Sequence, residues 1–469
     1  MLYESRLSFF GRGKFQASET DGYYDFDPDA TGNAAAINRS VGEGTIDNAN
    51  WMFSGSRLVI GTDGTEIVTR QSFDEVMSPS NFGFKYPSRI GSARVPCAAI
   101  DGMPVFVQRS GKKLYRLAYD SASYDYVNSN MMELVPEIGE PSIIRVAVQR
   151  QPDTMIHCVR SDGKVAVMVS DFTEEVSCWL LFETNGFVED VYVQPGSIED
   201  TVTYTVRRTI NGSTVRYRET FSIENDCRGG TLNKQADSFI TYSGASTATM
   251  TGLSHLEAAS VVVWGGGAVI GSYAVSAGKI TGLSAYAGRS LVVRNAANDD
   301  DYGVFDVNDS GEIQGLSALN GSTVSVRYTG KYLGSYTVSG GQITLSEAVT
   351  DAVIGLTYTA QYKSVKLAYG AQGGTALTQV KRIDHVSPIL RNTHHNGLQY
   401  GHDFSNLYNL PNIYKGREVN TDEIFVEYDQ TPFDFDGEYN TDSRLCLQAQ
   451  APKPCTLLGV VMNIHTNEG

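Results

Sequence analysis

The stretch "GSYAVSAGKIT" at residues 271–281 recurs almost unchanged as "GSYTVSGGQIT" at residues 334–344. The offset in numbering is 334 − 271 = 63, and upstream "GLSHLEAASVVV" at 252–263 matches "GLSALNGSTVSV" at 315–326 with the same offset. Chance periodicity does not keep its register across several turns, so this pattern predicts a tandem duplication of one folding unit. We assign the copies to 244–306 and 307–369, as small β-barrel or sandwich modules.

The composition of the chain changes around this duplication. From about 237 to 370 the sequence is rich in Gly, Ser, Ala, Thr and Val, and charged residues are few. The earlier mixture of charged and aromatic residues then returns with "VKRIDHVSPILRNTHHNGLQYG". The duplicated pair is therefore predicted to be an insertion in a larger body formed by residues 1–236 and 372–469. Such insertions are tolerated because lengthening a loop costs little free energy.

The first half of the chain carries a weaker repeat of alternating strands around turns. The turn glycines Gly64, Gly111, Gly163 and Gly212 are spaced by 111 − 64 = 47, 163 − 111 = 52 and 212 − 163 = 49 along the sequence. Period-two alternation around Asp-Gly, Ser-Gly or Asn-Gly is a strong hairpin signal. A recurrence near fifty residues is typical of propeller blades, and a large sandwich is the alternative. The predicted fold is all-β, with a propeller-like body of hairpin repeats.

The charge of the chain limits its partners. Lys and Arg number 37 against 53 Asp and Glu, which gives a net charge of −16. Such a surface repels phosphate, so tight nucleic-acid binding is not expected, although DNA can pass through an acidic channel without sticking. The longest apolar run, near 261–271, is far shorter than a membrane span, and the first residues contain no run of signal-peptide length.

One turn has part of the pattern of a calcium loop. In "DVNDSGE", Asp306, Asn308 and Ser310 alternate and Gly311 follows. The twelfth position is Ser317, whereas a calcium loop requires a bidentate Glu there. An ordinary polar hairpin turn is therefore predicted.

The histidines and cysteines do not form a recognisable metal motif. His394, His395 and His402 lie close together in sequence, but adjacent residues on a strand point to opposite faces. No CxxC pair occurs, and we expect buried free thiols. The six cysteines are Cys97, Cys158, Cys178, Cys227, Cys446 and Cys455.

Two stretches pair carboxylates with aromatic rings. They are "YYDFDPD" at 23–29 and "FDFDGEYNTD" at 433–442. Glycan-binding and glycoside-cleaving surfaces have this composition, and so do solvated turns beside packed aromatic rings. No phosphate loop, nucleophile elbow or ordered catalytic triad is present. The sequence therefore predicts that the chain is not an enzyme and uses no cofactor, and it indicates no catalytic or metal-binding residue.

Several phrases together resemble a known family. "SRLSFFGRGKFQASETDGYYDFDPD", "NWMFSGSRLVIGTDGTEIVT" and "PSRIGSARVPCAAIDGMPVFVQRSGKKLYRLAYD" follow one another as in the central part of the tail-tube nozzle proteins of short-tailed bacteriophages. The resemblance covers roughly 5–222 and, more loosely, 372–469. That family usually has a long stretch before the "RLSFF" region, so we expect either a compact variant or an N-terminal part that is missing or encoded separately. The duplicated insert is similar to the first catalytic cysteine half-domain of ubiquitin-activating enzymes, in fold only.

The resemblance implies a structural component of the virion tail. Such proteins form a six-fold ring below the portal and adaptor proteins, at the distal end of the channel through which viral DNA leaves. They offer docking surfaces to fibres or spikes, and neither a membrane anchor nor sequence-specific DNA binding is implied. The insert at 244–369 is expected to project outward for fibre docking or receptor contact, or else to stiffen the ring. The sequence does not assign channel-lining or partner-binding residues.

Two other classes of function stay open at this point. The first is a propeller-type glycan-binding adhesin. The second is a tail-associated polysaccharide hydrolase, for which Asp25 and Asp27 are the carboxylates to change. Both alternatives depend on the aromatic and carboxylate stretches described above.

Overall fold

The structure is a computed structural model of the whole chain. It describes residues 1–11, 13–41, 48–70, 76–122, 124–171, 176–266, 269–287, 290–295, 301–319, 321, 323–367, 370–371, 374–411, 422–429 and 432–466. Within these residues the regular structure consists of antiparallel β-strands and short 3-10 turns, without an α-helix. The prediction of an all-β fold is confirmed. The 3-10 turns span Pro136–Gly139, Glu224–Cys227, Ser254–Leu256, Ser284–Tyr286, Ser317–Leu319 and Ala376–Thr378.

The chain divides into two compact units. Unit 1 comprises 1–209 with 214–221, and unit 2 comprises 210–213 with 222–469. Each unit is described by itself below. The domain boundaries given in the sequence analysis remain predictions.

Unit 1 is a series of five consecutive antiparallel sheets. The first four sheets have four strands each, and the fifth has three. The strands are β1 (Leu2–Tyr3), β2 (Arg6–Gly11), β3 (Lys14–Ala17), β4 (Ile37–Ser40); β5 (Ala49–Ser54), β6 (Leu58–Thr62), β7 (Glu66–Arg70), β8 (Gly83–Ser88); β9 (Ala98–Ile100), β10 (Met103–Val107), β11 (Leu114–Asp120), β12 (Asp125–Asn130); β13 (Ile143–Gln149), β14 (Met155–Arg160), β15 (Val165–Asp171), β16 (Val176–Phe182); and β17 (Phe187–Gln194), β18 (Thr201–Ile210), β19 (Ser213–Thr220).

The predicted turn glycines occupy the same place in successive sheets. Gly64, Gly111, Gly163 and Gly212 each lie between the second and third strand of a sheet. In the first sheet Gly13 occupies the equivalent position, between β2 and β3. Its spacing to Gly64 is 64 − 13 = 51 residues, and this turn was not among the predicted ones. The predicted repeat near fifty residues is therefore one sheet per period, and the body is propeller-like.

Consecutive sheets bury their apolar faces against each other. Leu58 and Ile60 pack with side chains of the first sheet, whereas Val59 and Val68 pack with side chains of the third. This division follows from the two-residue period of a strand, which sends alternate side chains to opposite faces. Two further apolar clusters join the third sheet to the fourth and the fourth to the fifth. Each inner sheet is thus covered on both faces.

Unit 2 contains the duplicated insert and three further sheets. The insert strands are β20 (Asp237–Met250), β21 (Ser260–Gly266), β22 (Val269–Ala274), β23 (Ser290–Asn295), β24 (Asp301–Asp306), β25 (Thr323–Tyr328), β26 (Lys331–Thr337) and β27 (Ile343–Leu356). The remaining strands are β28 (Thr359–Lys363), β29 (Gly370–Ala371), β30 (Gly374–Thr375), β31 (Lys381–His394), β32 (Leu398–Asp403), β33 (Asn406–Asn409), β34 (Ile424–Asp429), β35 (Phe433–Asp434), β36 (Cys446–Gln450) and β37 (Thr456–Thr466).

The two sequence copies exchange strands in the insert. One sheet has the order β20-β27-β21-β26 and the other β24-β23-β25-β22. The offset of 63 residues can be added to the residue numbers of β20, β21, β22 and β23. The resulting positions fall on β24, β25, β26 and the end of β27. With the copies counted from the first residues of β20 and β24, and not from 244 and 307, each sheet combines the first two strands of one copy with the last two strands of the other. The second sheet, from 269 to 328, is nested inside the first.

The apolar cores of these two sheets correspond residue by residue. Val261 and Val263 in the first core match Val324 and Val326 in the second, which follow them at the offset between the copies. Ile354 in the first core matches Leu291 in the second, which precedes it by the same offset. The duplication therefore encodes the same core twice, with strand exchange between the copies.

The sheets outside the insert share a core with each other. The strand orders are β28-β36-β32-β33 and β34-β31-β35, with β37 paired to the opposite side of β31, and β29 pairs with β30. Side chains from β31, β32, β34, β35 and β36 form one apolar cluster. This cluster sits next to a smaller one in which Trp264 of the insert packs with Val292, Val304 and Ile424.

Trp264 holds the insert to the rest of unit 2. Its side chain is fully buried, and its indole Nε1 donates to the carbonyl of Gly230 at 2.8 Å. Gly330 lies so close to the indole ring that a Cβ there would overlap its nitrogen. The glycine is required for this close approach.

We expect Trp264→Ala to destabilise unit 2 by about 3–5 kcal/mol, because it removes a fully buried ring and leaves a cavity. Urea unfolding followed by circular dichroism measures the loss. The control is Tyr24→Ala in unit 1, because that ring is 97% exposed and its removal should leave the unfolding free energy unchanged. Equal effects of the two substitutions would contradict the anchoring role of Trp264.

Candidate functional site

The three histidines noted in the sequence have separate partners. The Nδ1 atom of His394 accepts the backbone N–H of Asn396 at 3.0 Å, and its buried ring meets Trp264 edge to face. His395 contacts the ring of Phe425, and His402 Nε2 lies 3.1 Å from an Asp403 carboxylate oxygen. Among the residues that the structure describes, no group of three or more His, Cys, Asp or Glu side chains is arranged to hold a metal ion.

The calcium-like stretch forms a hairpin turn. The Asn308 side-chain oxygen accepts the backbone N–H groups of Ser310 and Glu312, at 3.0 and 2.9 Å. Ser317 begins a 3-10 turn instead of offering a ligand. Asp306 ends β24, and its side chain lies outside the described ones. The side-chain oxygen of Asn308 thus shapes the turn, as expected of Asn in such positions.

The carboxylates at 23–29 also shape local turns. Asp25 accepts the backbone N–H of Asp27, and Asp27 accepts that of Asp29, at 3.0 and 2.9 Å. The Phe26 ring meets Phe9, and Tyr24 is almost fully exposed. Both carboxylates are solvent-exposed and bonded within their own turn.

The second carboxylate stretch, 433–442, alternates between core and surface. Phe433 and Phe435 pack with Tyr400 at ring distances of 5.1 and 6.0 Å. Between them Asp434 points outward, and Asp436 accepts a hydrogen bond from Tyr408 at 3.0 Å. The aromatic residues of this stretch therefore serve mainly the core, and its carboxylates are held by separate partners.

Asp384 on β31 is the centre of a surface network. Its carboxylate lies 3.0 Å from Arg382, 2.7 Å from His385 Nδ1 and 3.3 Å from His465 Nε2. The other nitrogen of His385 lies 3.1 Å from Asp434. A histidine that acts as general acid or base needs a ring nitrogen free to reach the substrate. Both ring nitrogens of His385 contact carboxylates, so His385 is not arranged for that role.

A cavity of about 270 Å³ lies between the insert and β34. Its ionisable lining residues are Glu312 and Glu427. Hydrogen bonds from Lys279 and Gln314 hold the pKa of Glu312 below its ordinary value. A carboxylic acid that protonates a glycosidic oxygen needs a raised pKa, so Glu312 does not suit that step. The cavity is lined by Phe305, Asn308, Glu312, Gln314, Val426 and Glu427.

Glu66 is a deeply buried carboxylate of unit 1. Burial raises its pKa, and the hydroxyl groups of Ser88 and Ser92 donate to its two oxygens at 2.5 and 2.9 Å. The side chain is fully buried in the second sheet. No substrate can reach it there, so its contacts indicate a structural role.

The sheet edges provide a different kind of candidate site. β16 ends the fourth sheet, and in the described part of the chain it pairs with β15 alone. Its sequence "VSCWLLF" contains no charged residue. Val176, Leu180 and Leu181 are 43%, 47% and 39% exposed. Cys178 is exposed as well, which corrects the expectation of buried thiols, because this strand turns apolar side chains to the solvent.

The last strands of the other sheets in unit 1 carry charges, whereas the first strands β1, β5 and β9, at the opposite edges, do not. The fourth strand of the first sheet contains Arg39, that of the second Lys85 and Pro87, and that of the third Asp125. Charged residues and proline on an edge strand prevent pairing with another chain. Among the last strands of the five sheets, β16 is thus the one without a charged residue, and at seven residues it is longer than the uncharged first strands. A run of seven uncharged residues was the sequence signal that could have revealed it.

Unit 2 has a second uncharged edge in β37. This strand has 11 residues and pairs with β31 alone in the part of the chain that the structure describes. Leu458 and Val461 are 63% and 53% exposed, and the strand contains no Lys, Arg, Asp or Glu. No helix among the described residues is long and apolar enough to cross a membrane.

Comparisons with known proteins add little to this picture. No protein-family model and no curated protein matches the sequence. A similar solved structure is the GH32 β-fructofuranosidase BmSUC1 of Bombyx mori, with 9% sequence identity and a TM-score of 0.23. The match covers 76% of this chain and 91% of that chain.

The prediction that the chain is not an enzyme is wrong as it stands, because this matched solved structure is itself an enzyme. The correction goes no further than this. A TM-score of 0.23 assigns neither an activity nor a catalytic residue to this chain.

The buried His394 makes unit 2 sensitive to acid. Burial lowers its pKa to about 3, and the positive charges of Lys453 and His395 contribute. The unfolded chain, with an ordinary histidine pKa of about 6.5, therefore binds the proton more readily than the folded one. The stability from neutral His394 is present above about pH 6.5 and is lost as the pH falls towards 3.

We expect the unfolding free energy of the wild type to fall by about 2 kcal/mol more than that of His394→Asn between pH 7 and pH 5. Asn can still accept the Asn396 N–H but does not titrate. Urea unfolding at the two pH values measures the difference. Val365→Asn in the same unit is the control, since that side chain is 78% exposed and does not titrate, so its substitution should leave the pH dependence unchanged. The same slope for wild type and His394→Asn would refute the assignment.

Proposed function

We propose that the chain is a structural protein of a bacteriophage tail, whose copies form a ring at the distal end of the DNA-ejection channel. The observation that carries this proposal is the uncharged, exposed edge strand β16. Its apolar side chains and unpaired backbone groups suit contact with another protein far better than contact with water. A structural ring needs such surfaces on every copy.

The arrangement of unit 1 supports the same proposal. The three phrases that resemble the nozzle family fall, in order, on the first, second and third sheets. Sheets that bury both faces against their neighbours make a rigid body. Rigid bodies that join through two different surfaces, one on each neighbouring copy, close into a ring when the rotation between copies allows it.

The net charge of −16 suits a channel for DNA. An acidic wall repels the phosphate backbone, so that the DNA slides without binding. The partners in this proposal are portal and adaptor proteins on one side and fibres or spikes on the other, in the virion tail. The insert would offer its loops to fibres or to a receptor, or stiffen the ring.

Native mass spectrometry of the purified full chain tests the proposal, alone and with tail extract, followed by electron microscopy class averages. We expect a ring of about six copies with a central hole. A chain that remains monomeric under all these conditions contradicts the proposal. Binding of that monomer on a glycan array would then favour the adhesin.

A further inference from the structure

We propose that β16 of one copy is covered by β37 of a neighbouring copy, so that the two strands pair edge to edge across the ring contact. This inference rests on the proposed function and specifies its interface. The occupant of the β16 edge is thus a second copy of this chain. The two strands belong to different units, so the contact is head to tail.

Backbone chemistry identifies the kind of partner that fits β16. An edge strand presents a row of N–H and C=O groups, and another edge strand satisfies these groups at regular spacing. A helix or loop would leave part of this row unsatisfied. The apolar side chains Leu180 and Leu181 add contact area on both faces of such a joined sheet.

Charge then selects β37 as the partner. Each copy carries a net charge of −16, so two copies repel each other except where their meeting surfaces are uncharged. At 11 residues, β37 is the longest edge strand without Lys, Arg, Asp or Glu among the described residues. It is longer than β16, so the whole of β16 can be paired.

Pairing of β16 with β16 is the main alternative. An isologous contact of that kind closes as a dimer and uses only one edge per copy. It leaves the Leu458 and Val461 side chains of β37 exposed on every copy. The head-to-tail contact covers both uncharged edges with a single type of interface.

Two single substitutions separate these arrangements. Leu180→Lys places a charge on β16, and Val461→Glu places one on β37, each at a side chain that is half exposed in the separate chain. We expect each variant to lose assembly, with the dissociation constant rising about tenfold or more, because the contact would bury an unpaired charge. Analytical ultracentrifugation and native mass spectrometry measure the assembly.

The decisive experiment mixes the two variants in equal amounts. In the head-to-tail arrangement the unaltered β16 of Val461→Glu meets the unaltered β37 of Leu180→Lys, so an equimolar complex forms. The remaining contacts then bring the introduced Lys against the introduced Glu, which allows further growth. Native mass spectrometry distinguishes the mixed complex from either variant by mass.

Val127→Lys is the matched control for β16. Val127 is 46% exposed on β12, the equivalent edge strand of the third sheet, which already carries Asp125. This variant should assemble like the wild type. Thermal unfolding of all variants by circular dichroism confirms that the substituted chains remain folded.

The outcomes separate the inference from the proposed function. A ring in the wild type that persists in both variants overturns the inference and leaves the ring proposal standing. Assembly lost in Leu180→Lys but retained in Val461→Glu points to β16 pairing with itself and also overturns it. A wild type that stays monomeric overturns both. Loss in each variant and recovery in the mixture supports the head-to-tail contact.

Discussion

The fold of unit 1 depends on the covering of both faces of each inner sheet. A single sheet of four strands has two apolar faces, and neither is stable in water. Leu58 and Val59 are neighbours in sequence, yet one packs towards the first sheet and the other towards the third. The alternation of side chains along a strand therefore joins each sheet to the next.

This constraint explains which parts of the fold the sequence could predict. Most of the turns between the second and third strand place a glycine in the left-handed region, as at Gly163, which has a φ of 82° with the Phe187 ring directly against it. Such turns are local, so their glycines were recognisable without a structure. The equivalent turn at Gly13 lies in "FFGRGKF", which lacks the Asp-Gly, Ser-Gly or Asn-Gly pair on which the prediction relied.

Strand pairing within the insert could not be predicted in the same way. The two copies have equivalent core positions, so a strand of copy one can pack in either sheet with similar side-chain contacts. Val263 and Val326 are interchangeable in this sense. Which copy supplies which strand depends on the connections between strands, and sequence similarity between the copies contains no information about that choice. The role of Trp264 also depends on contacts distant in sequence, with Gly230 and Ile424.

The candidate sites show the same division between local and distant contacts. The carboxylates at 23–29 and the Asn308 turn bond to their own backbone, and such local bonding is readable from sequence. The contacts of His385 with Asp434 and of Asp384 with His465 depend on which strands flank β31, and this requires the sheet order. Edge strands are an intermediate case. Their lack of charge is visible in the sequence, but their place at an edge appears only when the sheet is assembled.

The uncharged edge strands are significant because the chain as a whole is strongly acidic. A chain with a net charge of −16 is protected from non-specific association by repulsion between copies. Strands with Lys85, Asp125 or Arg216 at sheet edges add local protection. The edge strands β16 and β37 lack this protection and expose apolar side chains, so they would be a liability if they remained uncovered. Their pairing across copies removes both liabilities at once, and repulsion elsewhere then restricts association to that one orientation.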